Sequence, residues 1–153
     1  MRLDYPMKTM NQTKDIGLVM KNYPELGYDG WRIEPDEQRF ADCRRELQEA
    51  AAALDLCRRA FRDERFRKLH KGRQSDYRLK HLVETWDFEP APGARWPTPH
   101  YNGIYVCSGV AVAAALLEGF CVHRQIGGRR SFIDVPRPWR ARSLRAAPET
   151  AAK

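Results

Sequence analysis

Apolar residues recur at alternating spacings of three and four through residues 35–73. The positions are Phe40, Cys43, Leu47, Ala50, Leu54, Cys57 and Phe61. This heptad pattern predicts one long amphipathic helix, which begins at Pro35 because proline suits the first helical turn. The pattern stops after Phe61, since Glu64 and Lys68 take the next two positions, and we expect a bend or break there. We favour packing inside a helical domain, while a homodimer stays open.

A pair of unlike helices is predicted in the middle of the chain. The first covers residues 76–86 behind the N-cap Ser75, and its apolar face consists of Leu79, Leu82, Val83 and Trp86. A loop with four prolines follows, and then the segment GIYVC, which is compatible with a short strand. Ser108 is the expected cap of the second helix, GVAVAAALLEGF, which Gly119 ends. This helix is apolar almost all round, so we expect it to be buried beneath the first.

A hairpin is predicted near the C-terminus, because FCVHRQ and RRSFIDV alternate around Gly127-Gly128. The predicted fold class is mainly α within α+β, a small helical domain with one long helix, a helix pair and this hairpin. We divide the chain into an irregular or short-strand segment over 1–34, a single helical domain over 35–135 and a flexible basic tail over 136–153.

The charge is concentrated in two segments. The chain of 153 residues has a net charge of +7 and a pI near 9.5. Residues 35–73 hold eleven basic against eight acidic side chains, and residues 124–153 hold eight against two. Such an excess favours a polyanionic partner, most often nucleic acid.

Cysteine usage and hydropathy predict a cytoplasmic protein. The cysteines Cys43, Cys57, Cys107 and Cys121 form no CxxC pair, and the N-terminal MRLDYPMKTMNQ holds no apolar segment like that of a signal peptide. The longest weakly polar run covers residues 104–117, which is too short to span a bilayer. We therefore expect no membrane partner.

The predicted nucleic-acid contacts come from both basic segments and from the helix between them. Guanidinium groups can engage phosphates bidentately, and aromatic or imidazole side chains nearby can add specific contacts. Tyr77 is a further candidate for a specific contact. The candidates for binding are Arg58, Arg62, Arg65, Lys68, Arg78, His81, Arg129, Arg130 and Arg140.

Catalytic and metal chemistry are weakly indicated. His81 lies four residues after Tyr77 and three before Glu84, so the three side chains can share a helix face and form an acid/base relay. A hydrogen-bonded, packing histidine is the commoner outcome. Cys121 and His123 form a single CxH without a second ligand pair at zinc-like spacing. We predict no catalysis, no cofactor and no metal.

The helix pair also carries a resemblance. DYRLKHLVETW followed by YVCSGVAVAAALLEGF resembles a pattern of short proteins from bacterial phages, plasmids and integrating elements, with a YxLKHxxE helix before a YVxxGxxxAAALxxGF helix. The resemblance covers about 50 of the 153 residues. That pattern has an asparagine before its first glycine, where this chain has Ser108. The resemblance implies a mobile-element origin, with work on DNA or on a host defence.

Charge and resemblance together predict a non-catalytic, nucleic-acid-binding accessory protein of a phage or other mobile element. The alternative is an anti-defence, anti-CRISPR-like inhibitor whose arginines bind a host nucleic-acid-binding complex. An enzyme acting through His81 and Glu84 comes third.

Overall fold

The structure, a computed structural model, describes residues 12–33, 37–94 and 100–138. Six helices and five strands lie in these residues. The helices are α1 (Gln12–Asn22), α2 (Glu37–Gln48), α3 (Ala51–Arg62), α4 (Glu64–His70), α5 (Asp76–Glu84) and α6 (Ser108–Leu117). The strands are β1 (Leu26–Gly27), β2 (Gly30–Trp31), β3 (Gly72–Ser75), β4 (Cys121–Arg124) and β5 (Ser131–Val135). The predicted α+β class, mainly helical, is confirmed.

Helix α6 is the centre of the core. All ten of its residues are buried, and α3, α5, α1 and both sheets contact it. Its alanines and valines leave room for these neighbours to approach closely. The helix begins one residue earlier than predicted, because Cys107 rather than Ser108 is the N-cap, and Gly119 follows its end with the positive φ of 81° that favours glycine.

The predicted long helix is three helices. The break at Asp63 falls where the apolar pattern stops, and the Asp63 side chain caps α4 by accepting from the Arg65 amide. The break between α2 and α3 was not predicted; Ala50 leaves helical geometry there. Leu47 and Leu54, on the two sides of this break, are buried in the common core. The predicted packing inside the domain is confirmed for this part of the seam.

The N-terminal prediction of an irregular or short-strand segment is wrong for α1. Ile16 and Val19 of this helix are buried in the core, so amphipathic packing holds it on the domain. The short strands β1 and β2 then form a two-stranded antiparallel hairpin. Residues 1–11 lie outside the described residues.

The C-terminal hairpin is confirmed, and it belongs to a larger sheet. Strands β4 and β5 pair antiparallel, and β3, which the sequence did not predict, pairs with the other side of β5. Segment GIYVC, in contrast, forms no strand. Of the predicted tail, residues 136–138 are described. No helix of the described chain has both the length and the apolar character needed to cross a membrane.

Candidate nucleic-acid interface

Arg58 is not part of the exposed surface, which corrects its assignment as a phosphate contact. Its side chain is fully buried, Nε donates to a Glu118 carboxylate oxygen at 2.7 Å, and Nη1 pairs with Asp15. A phosphate cannot reach this guanidinium without displacing the carboxylates. Arg58 therefore joins α1, α3 and the end of α6 and has a structural role.

The three other candidates of α3 and α4 differ in their exposure and in the partners that they already have. Arg62 donates to Glu118 at 2.8 Å and is about one third exposed, with a side-chain exposure of 35%. Arg65 pairs with Asp63, donates to the carbonyls of residues 87 and 88, and lies over the Trp86 ring. Lys68 is exposed. These side chains lie on the surface, although the two arginines already have carboxylate partners.

The α5 candidates lie on its outer face. Arg78 is exposed, and His81 is half exposed with Nδ1 3.0 Å from Glu84 Oε1 and its ring edge-on to Tyr77. The other Glu84 oxygen accepts from the Val106 amide at 2.8 Å. Glu84 thus links the segment before α6 to α5. The predicted proximity of His81, Tyr77 and Glu84 is confirmed, and the contact with Glu84 orients the imidazole.

Arg129 and Arg130 converge with residues from three other segments on one recess, which we call the basic pocket. Its volume is about 270 Å³. Its lining residues are Asp29, Tyr77, Lys80, Tyr105, Cys107, Ser108, Arg129 and Arg130. Arg140 lies outside the described residues. The structure thus unites two predicted arginines with Tyr77, while Arg62, Arg65 and Lys68 do not line this recess.

Lys80 is a pocket residue that the sequence analysis did not single out. It is 6% exposed, its ammonium donates to the Tyr105 hydroxyl at 3.2 Å, and it lies 5.3 and 4.7 Å from the centres of the Tyr77 and Tyr105 rings. The sequence does contain a pattern that could have identified Lys80, because the charged residues Asp76, Lys80 and Glu84 recur every four positions. All three are buried, so this spacing marks a polar stripe on the inner face of α5.

Arg130 is held at the rim by a hydroxyl, a ring and a buried acid. Its Nη1 donates to Ser108 Oγ at 2.9 Å and lies 3.8 Å from Asp76 Oδ1, while the guanidinium lies over Tyr77 at 5.1 Å. Burial raises the pKa of Asp76, although the Ser131 amide and the Arg130 charge act in the opposite direction. Arg130 thus neutralises part of a buried carboxylate and still borders the recess.

The start of α6 closes one side of the pocket. Cys107 and Ser108 lie at the positive end of the helix dipole, which attracts anions. Burial raises the pKa of the Cys107 thiol to about 12, which favours the neutral thiol over the thiolate at neutral pH. The pocket is therefore suited to holding an anion by charge and hydrogen bonds.

Close backbone contacts fix the pocket's walls. A Cβ at Gly109 would lie 1.8 Å from the Gly27 carbonyl oxygen, so only glycine lets β1 rest against the start of α6. Gly30 has φ 114° and faces the Arg129 carbonyl, which also accepts from the Trp31 amide at 3.1 Å. The β1–β2 hairpin thereby links α6 to the Arg129 segment.

A second polar cluster lies on the exposed face of the three-stranded sheet. Asp134 of β5 bridges Arg73 of β3 and His123 of β4, with 2.9 Å to Arg73 Nε and 2.7 Å to His123 Nε2. The hydrogen bond from Arg73, followed by that from His123, lowers the pKa of Asp134.

Among the described residues no group of three His, Cys, Asp or Glu side chains is arranged to hold a metal ion.

The chain matches no protein-family model, and it matches neither a curated protein nor a solved structure.

Proposed function

We propose that the protein is a non-catalytic nucleic-acid-binding accessory protein of a phage or other mobile element, acting in the cytoplasm. The observation that carries the proposal is the basic pocket, where Lys80, Arg129 and Arg130 converge from two distant segments. Asp29 is the single carboxylate among its lining residues, and it lies 4.0 Å from Arg129. Convergent cations at the start of a helix are typical of phosphate recognition.

The outer face of α5 extends this surface. Tyr77 borders the pocket and is half exposed, and His81 stands beside it with Arg78 on the same helix. Aromatic rings next to cations are suited to stacking on bases while the cations hold the backbone. Under the proposal the pocket binds phosphate, and Tyr77, Arg78 and His81 contact the adjoining nucleotides.

Two arrangements favour binding over catalysis. The carboxylate of Glu84, the expected partner of His81 in a relay, is 7% exposed and also accepts from the Val106 amide, so it is occupied in structural hydrogen bonds. The raised pKa of Cys107 removes its thiolate at neutral pH. Glu84 is therefore occupied by the fold, and Cys107 lines the pocket as a neutral thiol.

The test measures binding of the purified protein to labelled duplex DNA, single-stranded DNA and RNA by fluorescence anisotropy at two salt concentrations. Arg129→Ala should weaken binding and reduce the slope of log K against log salt by about 0.7–0.9 per lost phosphate contact. Arg45→Ala is the matched control, because Arg45 is exposed on α2 and does not line the pocket. It should change the slope little.

The competing hypothesis, an anti-defence inhibitor, gives a different result. The protein would then bind nucleic acid only weakly, with all binding lost near physiological salt, and a stable complex with a host protein would be recovered by pull-down. That complex should depend on Arg129, because an acidic protein surface would occupy the same pocket. Such a result would refute the nucleic-acid proposal.

A further inference from the structure

We infer that the basic pocket recognises the terminal phosphate monoester of a nucleic-acid strand in preference to an internal phosphodiester. The inference rests on the proposed function and names the ligand of the same site. Three observations support it: the arrangement of the walls, the charge of the lining residues and the state of Lys80.

The walls come from four segments that face one recess. Lys80 and Tyr77 lie on α5, Tyr105 and Ser108 lie at the approach to α6, Arg129 and Arg130 follow the β4–β5 turn, and Asp29 lies between β1 and β2. An internal phosphodiester continues into a sugar on two sides, so only two of its oxygens are free to accept from these walls. A terminal phosphate has one ester link and leaves three oxygens free, so donors can reach it from several walls at once.

The net positive charge of the pocket favours the more highly charged anion. Three cations and one carboxylate line it, which leaves a net charge of +2, and Asp76 behind Arg130 at 3.8 Å offsets part of this charge. A phosphate monoester carries a charge of about −1.5 to −2 at neutral pH, whereas an internal phosphodiester carries one negative charge. The monoester therefore gains more from the same set of cations, and arginine can bind two of its oxygens in parallel.

Lys80 provides the independent sign of a missing anion. Lys80 is only 6% exposed, and the Tyr105 hydroxyl accepts one of its three ammonium hydrogens. Among the residues that the structure describes, no carboxylate lies within salt-bridge distance of this ammonium. The carboxylate of Asp76 interacts with Lys80 only at longer range. A buried ammonium without a directly paired counter-ion is costly, and the two tyrosine rings hold it beside the recess. A phosphate in the pocket would supply the counter-ion.

The experiment compares the same short single-stranded oligonucleotide with a 5′-hydroxyl, a 5′-phosphate or a 3′-phosphate, using full-length protein and fluorescence anisotropy. We expect one of the phosphorylated forms to bind at least about tenfold more tightly than the hydroxyl form, equivalent to one added charge-assisted contact. The two phosphorylated forms distinguish the ends. Inorganic phosphate should compete away this gain and leave the remaining affinity.

Variants assign the gain to the pocket. Lys80→Met keeps the aliphatic stem and should abolish the gain, whereas Lys21→Met, a control at an exposed position in the last turn of α1, should keep it. Because Lys80 is buried, the melting temperature of its variant is measured first. Tyr105→Phe is the second variant, since Tyr105 is exposed, and it removes the hydroxyl that orients the ammonium. It should reduce the gain while the fold is retained.

The outcomes separate the two proposals. Equal affinity for all three ends, with binding still sensitive to Arg129→Ala, would overturn the terminal-phosphate inference and leave nucleic-acid binding in place. A gain that survives in both folded Lys80→Met and Tyr105→Phe would also overturn it, because the end would then be bound elsewhere. Failure of every oligonucleotide to bind would overturn both proposals.

Discussion

Replacing Arg58 by alanine should destabilise the protein strongly without reducing its affinity for nucleic acid. The buried guanidinium joins two carboxylates, of which Asp15 is 12% exposed and Glu118 is 5% exposed. The variant leaves Asp15 without this partner, while Glu118 keeps its bond to Arg62. Breaking a buried ion pair by removing one member costs about 3–5 kcal/mol. For a chain of this size that corresponds to a fall of roughly 6–20 °C in melting temperature.

Urea titration followed by circular dichroism measures this loss, with Arg62→Ala as the matched control. Arg62 shares Glu118 but is one third exposed, so its removal should cost about 1 kcal/mol or less. Anisotropy on the folded fraction should show unchanged binding for Arg58→Ala. A loss of stability no larger than that of Arg62→Ala, or a selective loss of binding, would refute the assignment of Arg58 to the core.

Three further changes test the packing and the caps. Gly109→Ala should lower the free energy of unfolding by about 3 kcal/mol or more, because the added Cβ would collide with the Gly27 carbonyl oxygen. A urea titration would show this as a lower midpoint, and wild-type stability would refute the close contact. Ser75→Ala should cost about 1 kcal/mol in the same titration through loss of the α5 cap, and a neutral result would contradict that cap. Asn102→Ala removes a side-chain amide whose two hydrogens are shared among three carbonyls at the end of α5. We expect a loss of about 1–3 kcal/mol and faster amide exchange at Thr85, and unchanged exchange would contradict it.

Local signals in the sequence predicted the parts of the fold that depend on neighbouring residues. Ser75 caps α5 as expected, and Gly119 ends α6 at a positive φ. The pair at 127–128 lies in the turn of the predicted hairpin. Each of these residues has a conformational or hydrogen-bonding property that acts within a few positions, so it can be recognised without the rest of the chain.

Elements fixed by distant partners were missed. Strand β3 has the sequence GRQS, which carries no β-branched or aromatic residue, and it becomes a strand by pairing with β5. The break before α3 falls in an alanine-rich stretch that favours a continuous helix. Tertiary contacts decide both cases, and those contacts lie far away in the sequence.

The same limit applies to the candidate site. Arg58 and Arg62 lie four residues apart in one basic cluster, yet only Arg58 is fully buried. Its two carboxylate partners are Asp15, 43 residues earlier in the sequence, and Glu118, 60 residues later, so the sequence near Arg58 does not reveal them. The four-residue spacing places Lys80 on the inner face of α5, but its position in the pocket depends on Tyr105, which lies 25 residues later in the sequence. Sequence composition therefore predicted a basic surface. Only the structure shows which basic side chains are buried in ion pairs and which line the pocket.

The hydrogen bond from the Trp31 indole to Ser131 Oγ has a consequence for the order of folding. It joins residues 100 positions apart at 2.5 Å, close to the contact between Gly30 and the Arg129 carbonyl. During synthesis the β1–β2 hairpin leaves the ribosome long before this partner exists, and contacts of such large separation form slowly. The nascent protein therefore passes through a period in which Lys80 has been made but Arg129 and Arg130 have not, and the pocket gains its full charge only when the β4–β5 hairpin docks.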